Sequence, residues 1–184
     1  MSDERWFYRG EEEFLRMYEQ LKLTRCPHCR VIGTLILHGF LRGYDENDQG
    51  RKSVRARRVF CSNRKARGGC GRTFSVWIAD KIRRLSLSAG SLWKFLKLVA
   101  AGGVKLQAIR ALGSRLSDSA LYRIWKRFDQ GQSKIRTALA QRCRAPELTS
   151  ERPAAQVIAH LVAAFPATSC PITAFQQTMR TFFL

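Results

Sequence analysis

The sequence predicts an α+β protein: a small β-hairpin domain bracketed by cysteines, then a helical domain, then short apolar C-terminal helices. Three observations carry this. Two cysteine pairs, Cys26/Cys29 and Cys61/Cys70, flank a stretch rich in β-branched and apolar residues. From about residue 91 onward hydrophobic residues recur every three or four positions, the period of a helix. The last forty residues are nearly uncharged and are partitioned by Pro146, Pro153, Pro166 and Pro171.

Residues 1–22 lead with acids at Glu11, Glu12 and Glu13, and Phe14, Leu15, Tyr18 and Leu21 fall on one side of a helix over 11–22 that caps the domain after it. Residues 23–80 form that domain. Residues 31–44 and 53–60 read as strands joined by an acidic turn over 45–50, and 73–77 supply a third strand. In the second strand Val54 and Ala56 alternate with Arg55 and Arg57, so one face packs while the other presents guanidinium groups to solvent.

Cys26-Pro27-His28-Cys29 is a knuckle that turns two thiolates toward one point, and Cys61 with Cys70 completes a tetrahedral set for Zn²⁺. The eight residues between Cys61 and Cys70 exceed the usual spacing, and Gly68-Gly69 lets that bulge fold back. His28 and His38 are the substitute ligands. Four protein ligands leave no open position, so the metal is expected to hold the fold and to do no chemistry. The domain reads as a zinc ribbon.

Residues 81–144 are helical. A helix over 91–101 has Leu92, Phe95, Leu96 and Val99 inward and ends at Gly102-Gly103. A second, over 104–112, turns Leu106, Ile109 and Leu112 inward with Ala108 small enough for close approach. The turn Gly113-Ser114-Arg115-Leu116 follows, as in a helix-turn-helix. Ser117 caps a third helix over 117–128 whose inner stripe is Leu121, Ile124, Trp125 and Phe128. Its outer face carries Ser119, Tyr122, Arg123, Lys126 and Arg127. A separate basic helix is expected over 129–144. Residues 145–184 form two helices, 154–165 and 172–183, each begun by proline. Their apolar faces either pack back or meet a second copy or another protein. Cys143, Cys170 and His160 are packing residues.

Charge narrows the partner. The 184 residues carry a formal +19, and the excess is internal: residues 21–84 hold sixteen basic and four acidic groups, residues 85–144 twelve and two. Interleaved with Val, Leu, Trp and Phe, it belongs to a folded surface rather than a tail, and it calls for a polyanion, duplex DNA first. Phosphate contacts are expected from Arg55, Arg57, Arg64, Lys65, Arg67 and Arg72. Ser117, Ser119, Tyr122, Arg123, Lys126 and Arg127 are expected at the groove. No apolar run is long enough to cross a bilayer and none opens the chain as a leader, so a cytoplasmic, nucleoid-associated protein without membrane partners is expected.

Cys-Pro-x-Cys, a basic strand, Cys-Gly-Arg-Thr-Phe-Ser, and then Ser-x-Ser-x-Leu-Tyr-Arg-x-Trp-Lys-Arg-Phe together resemble the N-terminal zinc-ribbon and helix-turn-helix region of bacterial insertion-sequence transposases, over residues 26–128. The resemblance implies a mobile-element origin, a targeting, accessory or regulatory role in transposition or recombination, and a recombinase or transposase as a partner for the C-terminal apolar helices. Such transposases cut DNA with three carboxylates on an RNase-H-like domain, and beyond residue 128 this chain has only Asp129, Glu147 and Glu151. No catalysis is therefore expected. A transcriptional regulator unrelated to transposition, and an RNA-binding zinc-ribbon protein, are the alternative readings.

Overall fold

The computed structural model describes residues 6–46, 50–65, 67–102, 105–113, 115–147 and 152–184. Residues 47–49 of the expected acidic turn, Ala66 of the bulge, Gly103 and Val104, Ser114 and Glu151 lie outside them. Among the described residues the chain is α+β, with four strands in one sheet and six helices.

The sheet runs β1 (Trp6–Tyr8), β4 (Thr73–Ile78), β3 (Lys52–Cys61), β2 (Leu35–Tyr44). β2, β3 and β4 are antiparallel, while β1 lies parallel to β4 with Trp6 opposite Val76 and Tyr8 opposite Ile78. β1 was not expected, although Trp-Phe-Tyr is an aromatic run of the kind strands favour. The helix α1 (Glu11–Leu21) closes one side of the sheet: Phe14 and Leu21 are buried with Tyr8, Leu35, Val59 and Val76. Leu15, expected on that inner face, is 51% exposed.

β2 starts at Leu35, four residues later than expected. Residues 31–34 instead close the first knuckle: the Cys26 amide donates to the Val31 carbonyl and the Gly33 amide to Lys22, which leaves the Ile32 side chain at the surface.

The arginine alternation of β3 is corrected by two irregularities in register. Leu37 faces Val59 but Phe40 faces Arg57, and Leu41 faces Ala56 but Arg42 faces Val54, so Arg55 has no partner opposite it. An extra residue of this kind re-aims its side chain. Arg55 is 6% exposed, and its guanidinium donates to the carbonyls of Tyr44 (2.9 Å), Ile82 (2.8 Å) and Leu85. Gly43 makes room, since a Cβ there would meet Arg55 Cδ at 2.5 Å. Arg57 is turned inward too: its guanidinium lies 3.9 Å from the centre of the Phe14 ring and is paired with Glu11. The exposed arginine of this strand is Arg58.

The helical half comprises α2 (Ala89–Ala100), α3 (Lys105–Leu112), α4 (Asp118–Ala140), α5 (Pro153–Ala164) and α6 (Pro171–Met179). Ser88 caps α2 and Ser117 caps α4, each side chain accepting a backbone N–H three residues on. The two helices expected over 117–128 and 129–144 are one. Asp129 does not break α4, because its carboxylate accepts from Gln132 Nε2 at 2.9 Å, one turn on, and Phe128, Gln132, Ile135 and Leu139 continue the buried stripe. α5 and α6 begin with proline as expected, and both have buried faces within the chain. Val157, Leu161, Ile172, Phe175 and Phe183 share one core with Leu92, Phe95, Leu96, Leu121, Ile124 and Phe128. Cys143 and Cys170 pack against that core, and buried His160 meets the Cys143 carbonyl at 3.0 Å.

Polar contacts join the halves. Two acidic residues of the expected turn face inward: Asp45 pairs with Lys81 at 2.8 Å, and the Glu46 carboxylate accepts from Ser88 N and Ser91 Oγ at the start of α2. From the other side Gln176 Nε2 donates to Ala79 O at 2.7 Å. Phe182 stands edge-on to both Phe7 and Trp77.

Candidate metal centre and basic surface

Four sulfurs converge at the end of the sheet where Leu35 of β2 pairs with Cys61 of β3. The first knuckle is built by backbone hydrogen bonds: Arg30 N donates to Cys26 O at 2.9 Å, and His28 N points at Cys26 Sγ at 3.4 Å. β3 delivers Cys61. The chain then folds back, as the two glycines allow. Gly68 lies in the left-handed region at φ 62°, Gly69 N donates to Ser62 O, Gly71 N donates to Cys61 O, and Cys70 N points at Cys61 Sγ at 3.3 Å. Gly69 has no space for a side chain, since a Cβ would sit 2.3 Å from Ser62 O and 2.7 Å from Cys61 Sγ.

The four Sγ atoms lie within 4.8 Å of one another, with Cys26 to Cys70 at 3.9 Å and Cys29 to Cys61 at 3.6 Å. Disulfide sulfurs are about 2.05 Å apart. Thiolates about 2.3 Å from a common tetrahedral centre stand about 3.8 Å from each other, close to the separation of these two pairs. The expected four cysteines are thus brought together as a cluster suited to a metal ion. His28 and His38 take no part: their rings lie against Phe74 and Phe60.

The thiols are not equivalent. Burial pushes Cys26 up, to about 12. Burial also raises Cys61, but the Thr34 hydroxyl, the Cys70 amide and the neighbouring thiols outweigh it and bring that thiol down to about 7. Thr34, buried and 3.1 Å from Cys61 Sγ, is a member of the site that spacing alone does not reveal.

The expected phosphate-binding residues divide. Arg64, Lys65, Arg67 and Arg72 are exposed around the second knuckle, and Arg42 and Arg58 join them as exposed cations of the sheet. Arg55 and Arg57 are withdrawn into internal contacts. On α4, Ser119, Tyr122, Arg123 and Lys126 are exposed, Tyr122 by 43%. Ser117 caps the helix. Arg127 is half-buried and donates to the Arg83 carbonyl at 3.4 Å. Its pKa is lowered by burial and by the like charges of Arg84 and Arg83, and no carboxylate pairs with these three among the described residues. α3 and α4 meet through Ala108, Ile109, Leu121 and Ile124, and Gly113, at φ 62°, ends α3.

Fold and site thus define an α+β protein whose sheet carries a four-cysteine cluster suited to a metal ion, and no helix among the described residues is long and apolar enough to cross a membrane. Compared with protein-family models, with curated proteins and with solved structures, the chain matches none.

Proposed function

We propose that this protein binds duplex DNA, through α3, its turn and α4 acting as a helix-turn-helix and through a zinc ribbon formed by the sheet and the four cysteines. The observation that carries the reading is the exposed face of the first three turns of α4. Ser119, Tyr122, Arg123 and Lys126 stand there together on a helix whose other side is buried, directly after a glycine-ended eight-residue helix. Such a helix presents its N-terminal side chains to base edges in the major groove, while flanking cations hold phosphates. The cations around the second knuckle extend the contact along the backbone.

Zn²⁺ is the ion that a set of four thiolates suits best in this setting. It would tie the folded-back second knuckle to the first and hold Arg64, Lys65, Arg67 and Arg72 in place. The chain acts by binding, as a targeting, accessory or regulatory factor of mobile-element origin, without cleaving DNA itself. Selection of bound sites from random duplexes by the zinc-loaded protein tests this. The expected result is a short consensus, a steep fall in affinity with salt, no strand cleavage with Mg²⁺, and loss of the consensus in Arg123→Ala. Equal affinity for random duplex and structured RNA, or none for either at low salt, refutes it.

A further inference from the structure

The first knuckle, α1, β1 and α6 enclose an open cavity of about 520 Å³. None of its lining residues is a cysteine or lies on α4, so the face proposed to read DNA makes no use of it. Its size is that of a small-ligand pocket. Arg25, Arg30 and Arg180 line it, and among the described residues Glu13 is the carboxylate in the lining. That carboxylate is engaged: it accepts from Gln177 Nε2 at 3.0 Å and from the Arg9 amide at 2.8 Å.

Two of these arginines occupy backbone positions that ordinarily belong to glycine. Among the described residues three non-glycines have positive φ, and all are arginines: Arg30 (66°), Arg84 (62°) and Arg180 (48°). Arg30 and Arg180 both line this cavity. The chain supplies its own comparison. Arg30 follows Cys29 in the first knuckle as Gly71, at φ 71°, follows Cys70 in the second. Arg180 ends α6 in the left-handed conformation, as Gly113 does at the end of α3. Glycine takes this conformation freely and other residues pay for it in strain, so the arginine that stands in the first knuckle where the second knuckle has glycine points to a use for its side chain.

The rest of the lining mixes apolar side chains with Gln20, Thr24 and Gln177. Trp6, Phe7 and Met17 belong to it, with Trp6 held edge-on to Phe74, ring centres 5.2 Å apart, and Phe7 edge-on to Phe182. Guanidinium groups recognise phosphate oxygens through paired N–H donors, and an aromatic wall takes a base. We infer that this cavity binds a single nucleotide unit by its phosphate, with the base against the Trp6 wall. The nucleotide comes either from a free mononucleotide or from an unpaired end of a DNA strand.

The test uses the metal-loaded full chain and three probes: adenosine monophosphate, a blunt duplex, and the same duplex with a three-nucleotide overhang. The variants are Arg30→Gly, Arg180→Gly and the pair together. Glycine relieves the backbone, so melting temperature and metal stoichiometry are expected to stay level or rise. Affinity for the blunt duplex is expected to be unchanged. Binding of the mononucleotide, or the advantage of the overhang, is expected to fall by about tenfold or more in the double variant, as for the loss of one or two charged phosphate contacts. Mononucleotide binding without an overhang advantage assigns the site to free nucleotides, and an overhang advantage assigns it to strand ends. The inference is overturned if neither probe binds beyond the blunt duplex, if the glycine variants bind both as the parent does, or if they melt earlier. Failure of blunt-duplex binding alone strikes the reading of α4 and leaves this site standing.

Discussion

Replacing Arg55 with methionine separates two roles that the sequence confounds, a phosphate contact and an internal brace. Methionine keeps much of the stem volume and removes the guanidinium. The structure assigns Arg55 three carbonyl acceptors on two parts of the fold, Tyr44 on β2 and Ile82 and Leu85 in the link to α2. Burial lowers its pKa, offset by Asp45 and Asp80, so a charge held among carbonyls is what the substitution deletes. Hydrogen bonds from a charged group contribute about 1.5–3 kcal/mol each, and the acceptors at the partly open carbonyls of Tyr44 and Leu85 recover some of this from water. A loss of about 3–5 kcal/mol is therefore expected, as for other buried charged networks broken on one side. Urea unfolding of the metal-loaded protein measures it. DNA binding of the folded variant supplies the second readout: each lost phosphate contact lowers the salt slope by about 0.9, and here the slope is expected to stay unchanged. A destabilisation below about 1 kcal/mol, or a slope reduced by one contact, refutes the internal placement.

Gly69→Ala is expected to disrupt metal binding, because the new Cβ meets the Ser62 carbonyl and Cys61 Sγ inside van der Waals contact; a competition titration against a chromophoric chelator reads the loss. The same titration against pH tests the two unequal thiols. Cys26, raised to about 12, gives up a proton to the metal throughout the neutral range, whereas Cys61, lowered to about 7, does so only once the pH is below that value. Log affinity is therefore expected to fall with acidification and to fall more steeply below about pH 7, where Cys61 as well as Cys26 holds a proton that the metal must displace, and a flat profile contradicts the thiol assignment. Glu46→Ala is expected to cost about 1–2 kcal/mol in urea unfolding, since the carboxylate satisfies donors at the start of α2. A change within error shows that Ser88 alone suffices as the cap.

Much of the candidate site was legible because its signals are local. Cys-x-x-Cys defines a knuckle by its own backbone, and the glycines between Cys61 and Cys70 announce that the longer loop can return. The helices were legible where an inner stripe repeats at helical spacing, as at Leu92, Phe95, Leu96 and Val99, and where serine or proline marks a start. The strand signals misled where register mattered. Period two places Arg55 on the solvent side, and one extra residue in β3 reverses that placement. The continuity of α4 through Asp129 depended on a side-chain bond to Gln132, which residue type does not disclose.

Taken alone, the sequence determined the α+β class, the four clustered cysteines, the cationic middle of the chain and the positions at which helices begin, because each follows from spacing, charge or backbone preference within a few residues. Tertiary structure decided which charges are free to meet a partner. Arg55, Arg57, Asp45 and Glu46 are drawn inward by acceptors and donors that lie up to 46 positions away in the chain, while Arg58, Arg123 and Lys126 are left outside. An arginine goes inward only where the fold gathers enough oxygen atoms to replace its water, and that gathering is a property of the packed whole.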